Sequence, residues 1–357
     1  MVTNSQEPVD ELAGEISSAQ SDVNSLQDDV QLTSLRSDVE DVDNSADGLP
    51  QRIADLRSRG YVFDKDLEGR VQDLKARWDQ QRGLVLSEIS RQNSELVSDL
   101  HGIEALMAQV VARASDPAAA RPVLAQAKSA ISSLGSKADA AQDAVKSMFS
   151  AFASDLDTLK SRLDKVDWML IQLSQACFTL LATEAAVMAV EAVWIKAGKE
   201  SADDPRGVLY LTDQRLIFEQ KQEIATKKFL FVATEKQKVQ QLQFEFPLSL
   251  VEGIKPSKQG FLSHEDHFEL NLASGAPFHN LNLHLLGQDG NAWQGLINQV
   301  KSGAVTQARA VAVDQAMVDK VKAAPTQCPV CGGAITQPVL RGMDSLKCEY
   351  CGNIIRL

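Results

Sequence analysis

Val145, Phe149, Phe152, Leu156, Leu159, Leu163, Val166, Leu170, Leu173 and Cys177 are separated by alternating steps of four and three residues, without exception. That period is the seam of a helix packed lengthwise on another helix. A second seam runs Leu12, Ile16, Ala19, Val23, Leu26, Val30. A third runs Leu67, Val71, Leu74, Trp78, Val85, Ile89, Leu96, Leu100, Ile103, Met107, Val110, with an eleven-residue excursion from Trp78 to Ile89. Such a stutter locally relaxes a left-handed supercoil. Gly48 and Pro50 read as a break over 44–50, followed by a short helix over 50–59 that ends at Gly60. Asp64 reads as the N-cap of the next helix, and Asp116-Pro117 with Arg121-Pro122 as a further break. The seams suit a helical hairpin or bundle within one subunit, or a coiled coil that self-associates; the break at 114–122 favours an antiparallel hairpin. Cys177, on the seam, reads as a small core hydrophobe.

The formal net charge is −12, and residues 1–50 hold twelve acids against Arg36 as the one base. An acidic arm of this kind stays solvated or meets a basic partner. The sign of the charge argues against general nucleic-acid binding. Met1 to Asp10 is polar and acidic, unlike a signal peptide, and the apolar run 185–195 is broken by Glu191 and too short to span a bilayer. These features predict a cytoplasmic chain, with any membrane contact peripheral, on an inner face.

Past Leu181 the period changes to two. Phe268, Leu270 and Leu272 alternate with polar residues, as do Leu281, Leu283 and Leu285, and Ser274-Gly275-Ala276-Pro277 lies between them as a turn. Further strands are predicted over 187–195, 207–211, 215–220, 228–234 and 241–246. Trp293, Leu296, Ile297 and Val300 form one face of a closing helix. Short strands followed by one helix make a small antiparallel barrel plugged at one end.

Gly207-Val208-Leu209-Tyr210-Leu211-Thr212-Asp213-Gln214-Arg215-Leu216-Ile217-Phe218 resembles the signature hairpin of GRAM domains, a branch of the pleckstrin-homology superfold. The resemblance covers about 184–302. It implies a pleckstrin-like barrel with a C-terminal helix, and a domain that docks to a membrane surface or a protein. An anionic headgroup site needs converging cations. The candidates for lipid or partner binding are Lys227, Lys228, Lys236 and Lys238 near one strand, and Lys255 with Lys258 in a loop punctuated by Pro256 and Gly260. Lysines on solvated strand edges are the ordinary alternative. Phe261 and Leu262 read as core residues or an interfacial wedge, and His264 with His267, three apart beside Glu265 and Asp266, as part of a solvated turn in preference to a metal site.

Cys328-Pro329-Val330-Cys331-Gly332 and Cys348-Glu349-Tyr350-Cys351-Gly352 are two Cys-x-x-Cys knuckles separated by residues 332–347. Cys328, Cys331, Cys348 and Cys351 are therefore candidate ligands of one structural Zn²⁺. Four protein ligands leave no open position for a substrate. The tail resembles a zinc ribbon, with Ile335, Val339, Leu346, Ile354 and Ile355 as its small core. Arg341, Lys347, Arg356 and Tyr350 are thin for nucleic acid, so a protein contact is favoured. No phosphate loop, dinucleotide fingerprint, nucleophile elbow or His-Glu-x-x-His occurs, and no small-molecule substrate is indicated.

The expected fold is multidomain α + β: an acidic, partly helical arm (1–49), a helical hairpin or coiled coil (50–183), a GRAM-like domain (184–302), a helical linker (303–325) and a zinc ribbon (326–357). The expected function is a non-enzymatic scaffold or adaptor with protein partners, possible self-association through the helices, and an anionic membrane surface as a candidate contact. The alternative is a nucleic-acid-associated regulator acting through the ribbon.

Overall fold

The computed structural model describes residues 7–229, 232–260 and 264–357, with side chains described outside 7–9, 224–229 and 232–236. Two compact units are present: Met1–Pro50 with Gly69–Lys160, and Gln51–Glu68 with Ser161–Leu357.

The first unit is built from helices α1 (Glu7–Gln31), α2 (Thr33–Ser58), α3 (Leu67–Ala112) and α4 (Pro117–Ser174), the last three running on beyond it. Most of the three seams is buried, with Leu12, Val30, Val85, Val110 and Val145 each at most 1% exposed, while Leu159 and Leu173 are half-buried. The acidic arm is thus not a solvated tail. Its apolar stripe lies in the core, and its acids meet bases of the same unit: Glu11 pairs with Arg121 (2.8 Å) and Glu15 with Lys128 (2.8 Å). Trp78 fills the centre, stacked on Phe152 at 4.8 Å and edge-on to Phe149 at 6.4 Å. Its indole N–H, which burial would otherwise leave unpaired, donates to Asp43 at 2.9 Å.

The predicted break at 44–50 does not occur; α2 runs through Pro50. The missing proline N–H costs one helical hydrogen bond, but Ala46, Leu49, Ile53 and Leu56 are buried on one face and hold the helix together. The break comes earlier, at Leu32, whose φ of 52° ends α1. Asp64 is not a helix cap. Its φ is 58°, and its carboxylate accepts from Tyr61 (2.7 Å) and from Arg162 (2.6 and 2.9 Å). Helix α4 begins at Pro117 and continues through Pro122, so only 113–116 separates it from α3. It ends at Ser174, which leaves Cys177 exposed rather than on a buried seam.

The second unit contains a seven-stranded antiparallel sheet in the order β4-β3-β2-β1-β7-β6-β5, closed by helix α5, as a pleckstrin-like fold requires. The strands are β1 (Ala186–Ile195), β2 (Arg206–Thr212), β3 (Arg215–Phe229), β4 (Val232–Pro247), β5 (Val251–Gln259), β6 (Glu265–Leu272) and β7 (Asn280–Leu286). The described residues of 228–234 do not form one separate strand: 228–229 end β3 and 232–234 begin β4, while 230–231 lie outside the described residues. Nor is the Lys255–Lys258 stretch a loop. It is β5, an edge strand that among the described residues pairs only with β6, and Pro256 is tolerated there because the strand's other side makes no ladder with them. Trp293 of α5 (Gly290–Lys301) plugs the sheet against Phe268 and donates to Gln288 at 2.8 Å.

The residues of the signature hairpin have structural work. A Cβ at Gly207 would collide with the Glu219 carbonyl and approach Gln220 Cα to 2.8 Å. The Thr212 hydroxyl receives the backbone N–H of Arg215 (2.7 Å) and of Gln214 (3.1 Å), fixing the turn. Arg215 then forks onto the fully buried Glu184 (3.0 and 2.6 Å) and reaches Glu245 (2.6 Å).

Beyond α5, the linker is helical only in α6 (Ala304–Gln307) and α7 (Gln315–Ala323). Between them Arg309 pairs with Asp213 and lies over Phe63, 5.1 Å from the ring centre. Two short strands, β8 (Ser345–Lys347) and β9 (Ile354–Arg356), complete the tail. Among the described residues no helix is long and apolar enough to cross a membrane.

Candidate metal centre

The two knuckles have the same construction. Cys328 N–H donates to the Gly333 carbonyl and Cys348 N–H to that of Asn353, each at 2.8 Å. Gly332 N–H returns to the Cys328 carbonyl and Gly352 N–H to that of Cys348, each at 2.9 Å. Both glycines are left-handed, at φ 71° and 72°, which a side chain would strain.

This geometry brings together all four sulfurs predicted as ligands, within 4.8 Å of one another. Cys328 Sγ lies 3.7 Å from Cys351 Sγ, and Cys331 Sγ 3.6 Å from Cys348 Sγ. A tetrahedron of Zn–S bonds of about 2.3 Å has edges of about 3.8 Å, so the donor set fits a zinc-sized ion. Backbone N–H groups of Cys331 and then Val330 point at Cys328 and bring its thiol down to about 6. At Cys331 the Gly333 N–H also lowers the thiol, but Cys351, Cys348 and Cys328 outweigh it and push the group up to about 12. Four thiolates this close repel, and a bound divalent cation would offset half of their charge and staple the two knuckles.

The cysteine-bearing tail is hydrogen-bonded to the segment that precedes β1. Ala182 N–H donates to Val339 O (3.0 Å), Arg341 N–H to Leu180 O (2.9 Å), and the Arg341 guanidinium to the Glu184 carbonyl. Val339 and Leu346 form the small core, while Ile354 faces solvent. Of the three ribbon cations, Arg341 is therefore engaged within the chain.

The candidate lysines do not form one cluster among the described side chains. Lys238 is exposed on β4 opposite Glu223, and Lys255 is exposed on β5 opposite Glu269, on the two edge strands of the sheet. Lys258 is committed to Asp266 (2.6 Å) and Asp289 (3.3 Å). The side chains of Lys227, Lys228 and Lys236, and all of Phe261 and Leu262, lie outside the described residues. His264 is exposed, but His267 is not in a turn: it is buried in β6 beside His284 of β7, a pairing sequence reasoning missed.

No family model matches the chain, and no curated protein matches it. Among solved structures, the DH/PH domains of PDZ-RhoGEF, crystallised with GTP-gamma-S-activated RhoA, share 11% identity over 77% of this chain and 94% of that one, with a TM-score of 0.25. The DH/PH domains of a p115-RhoGEF mutant share 12% over 80% of this chain and 98% of that one, with a TM-score of 0.21. Similarity of that degree assigns no function.

Proposed function

We propose that the chain is a non-enzymatic scaffold or adaptor in which a zinc-stapled ribbon, anchored on a GRAM-like domain, presents an apolar tip to a protein partner. The observation that carries this reading is the exposure of Val330 (70%), Tyr350 (73%) and Ile354 (68%), two of them inside the knuckles and the third in β9. An exposed tyrosine on a rigid base is a typical anchor of a protein interface, and aliphatic neighbours serve to exclude water around it. Nucleic acid is disfavoured, because Arg341 is drawn onto the sheet domain and Lys347 and Arg356 remain as the ribbon's cations. Membrane docking is disfavoured at Lys258, whose charge is already balanced by two aspartates.

The test compares the zinc-loaded full chain with a Val330→Ser/Tyr350→Ser variant of equal zinc content. Proteins retained by the parent chain are expected to be lost from the variant. An identical retained set would refute the reading. Sedimentation with phosphatidylserine vesicles, weakening as salt rises, would instead move docking to a lipid surface.

A further inference from the structure

Among the described residues, one cluster of metal-ligating groups lies outside the ribbon. His267 on β6 and His284 on β7 are directly opposed across the antiparallel ladder. Their rings are stacked at 4.4 Å with planes 13° apart, and their side chains are only 7% and 12% exposed. They occupy the face of the sheet opposite Phe268 and Leu283, neighbours in register that are buried inward with Trp293. The segment between β1 and β2 folds over them and supplies Glu200. Its Oε2 lies 2.6 Å from His284 Nδ1, and its Oε1 pairs with Arg206 at 2.8 Å. Glu265 Oε2 stands 3.3 Å from His267 Nε2.

We propose that Glu200, His267 and His284 form a second binding site, for a zinc-like divalent transition ion. One donor atom from each already lies within 4.8 Å of the others. Bonds of about 2.0–2.2 Å require donor separations of about 3.3–3.6 Å, so the Glu200–His284 contact at 2.6 Å must open and any wider separation close, which small side-chain rotations supply. Two imidazoles and a carboxylate are the donor set of zinc-type ions rather than of calcium or magnesium. Glu265 contacts His267 but lies outside the group of three donors. The ion would tie the β1–β2 segment, which carries Glu200, to strands β6 and β7. The site shares no residue with the four cysteines, so the two are separable.

The experiment uses the full chain, equilibrated with excess zinc, desalted and assayed for bound metal. A second equivalent beyond that held by the cysteines is expected. Cys328→Ser should remove the thiolate-bound ion and leave the second, while His284→Gln should do the reverse. Cobalt in the second site should show visible bands without sulfur-to-metal charge transfer. Trypsin cleavage at the exposed Lys196 and Lys199 should slow about tenfold when free zinc is about ten times the dissociation constant. Should His284→Gln fail to fold, Glu200→Gln, which keeps both rings, must still lose the second ion. A single bound equivalent in the parent chain, or a second unaffected by Glu200→Gln, would overturn the proposal.

Discussion

Replacing Arg215 by methionine isolates the physics that holds the signature hairpin. The guanidinium, 8% exposed as a side chain, makes two bonds to Glu184, which is fully buried, one to Glu245 and one to the Thr179 carbonyl at 3.2 Å. Burial acts to lower the Arg215 pKa, but Glu184 and then Glu245 oppose it and leave the group above its ordinary value. Removing the cation strands the Glu184 carboxylate away from water. Breaking one half of a buried pair costs about 3–5 kcal/mol, much of it the uncompensated charge. Glu184 keeps the Leu181 N–H (2.7 Å) and the Thr212 hydroxyl (2.5 Å), and Glu245 is 40% exposed and rehydrates. The lower end, about 3 kcal/mol, is therefore expected. At a urea slope of about 3 kcal/mol per molar, the midpoint falls by about 1 M. Urea denaturation followed by tryptophan emission measures this, with hydrogen exchange across β2 and β3 as the local readout. Adding Glu184→Gln removes the stranded charge and should recover more than half of the loss. A single substitution costing under about 1 kcal/mol, or a double variant no better than the single, would refute the reasoning.

Tyr61 and Tyr210 both have pKa values raised by burial first and by Asp64 or Glu219 next. A group whose folded pKa exceeds its unfolded value contributes stability that is complete below about pH 10 and is lost as pH rises past it; alkaline denaturation should be steep, and Tyr61→Phe with Tyr210→Phe should flatten it. Cys177 is exposed, yet partial burial and then the Glu219 carboxylate push its thiol up to about 11 from 9.0. At neutral pH about a hundredfold less thiolate is present than in an ordinary cysteine, so mass spectrometry should find it alkylated slowly, and Glu219→Gln should accelerate the reaction.

The seams, the β2–β3 and β6–β7 hairpins, the α5 face and the four cysteines were legible because each is a local pattern. Helix α2 was legible too, although punctuation concealed it. Leu35, Val39, Val42, Ala46, Leu49, Ile53 and Leu56 keep the four-three step through Gly48 and Pro50. The step of two from Val30 to Leu32 marks the real break, where the backbone turns left-handed. Tertiary burial outweighed the local cost of proline there. Strand β5 was hidden by Gly253, Pro256 and Gly260, residues that an edge strand tolerates and a central strand does not. The fate of the acidic arm could not be read locally, since the bases that meet Glu11 and Glu15 lie on α4, more than a hundred residues away, and those that meet Asp43 and Asp47 lie on α3. The histidine pair was recoverable in part: His267 and His284 are equidistant from the centre of the turn at 274–277, so the hairpin register opposes them. Glu200 gave no such signal, because it arrives from another hairpin.

The division of labour inside the sheet unit explains why a fold resemblance and a functional assignment part company here. Gly207 is required by the approach of the Glu219 carbonyl, Thr212 by two backbone donors, and Arg215 by the buried Glu184. Each is consumed by the hairpin that it helps to build, and none is left facing solvent to meet a ligand. A chain can therefore keep these residues under the demand of stability alone, whatever it binds. Residues free for recognition must be sought where packing does not account for them. The exposed Val330, Tyr350 and Ile354 meet that description at the ribbon. The buried imidazoles of His267 and His284 meet it on the sheet, since an outward-facing cross-strand pair needs no histidine to be stable.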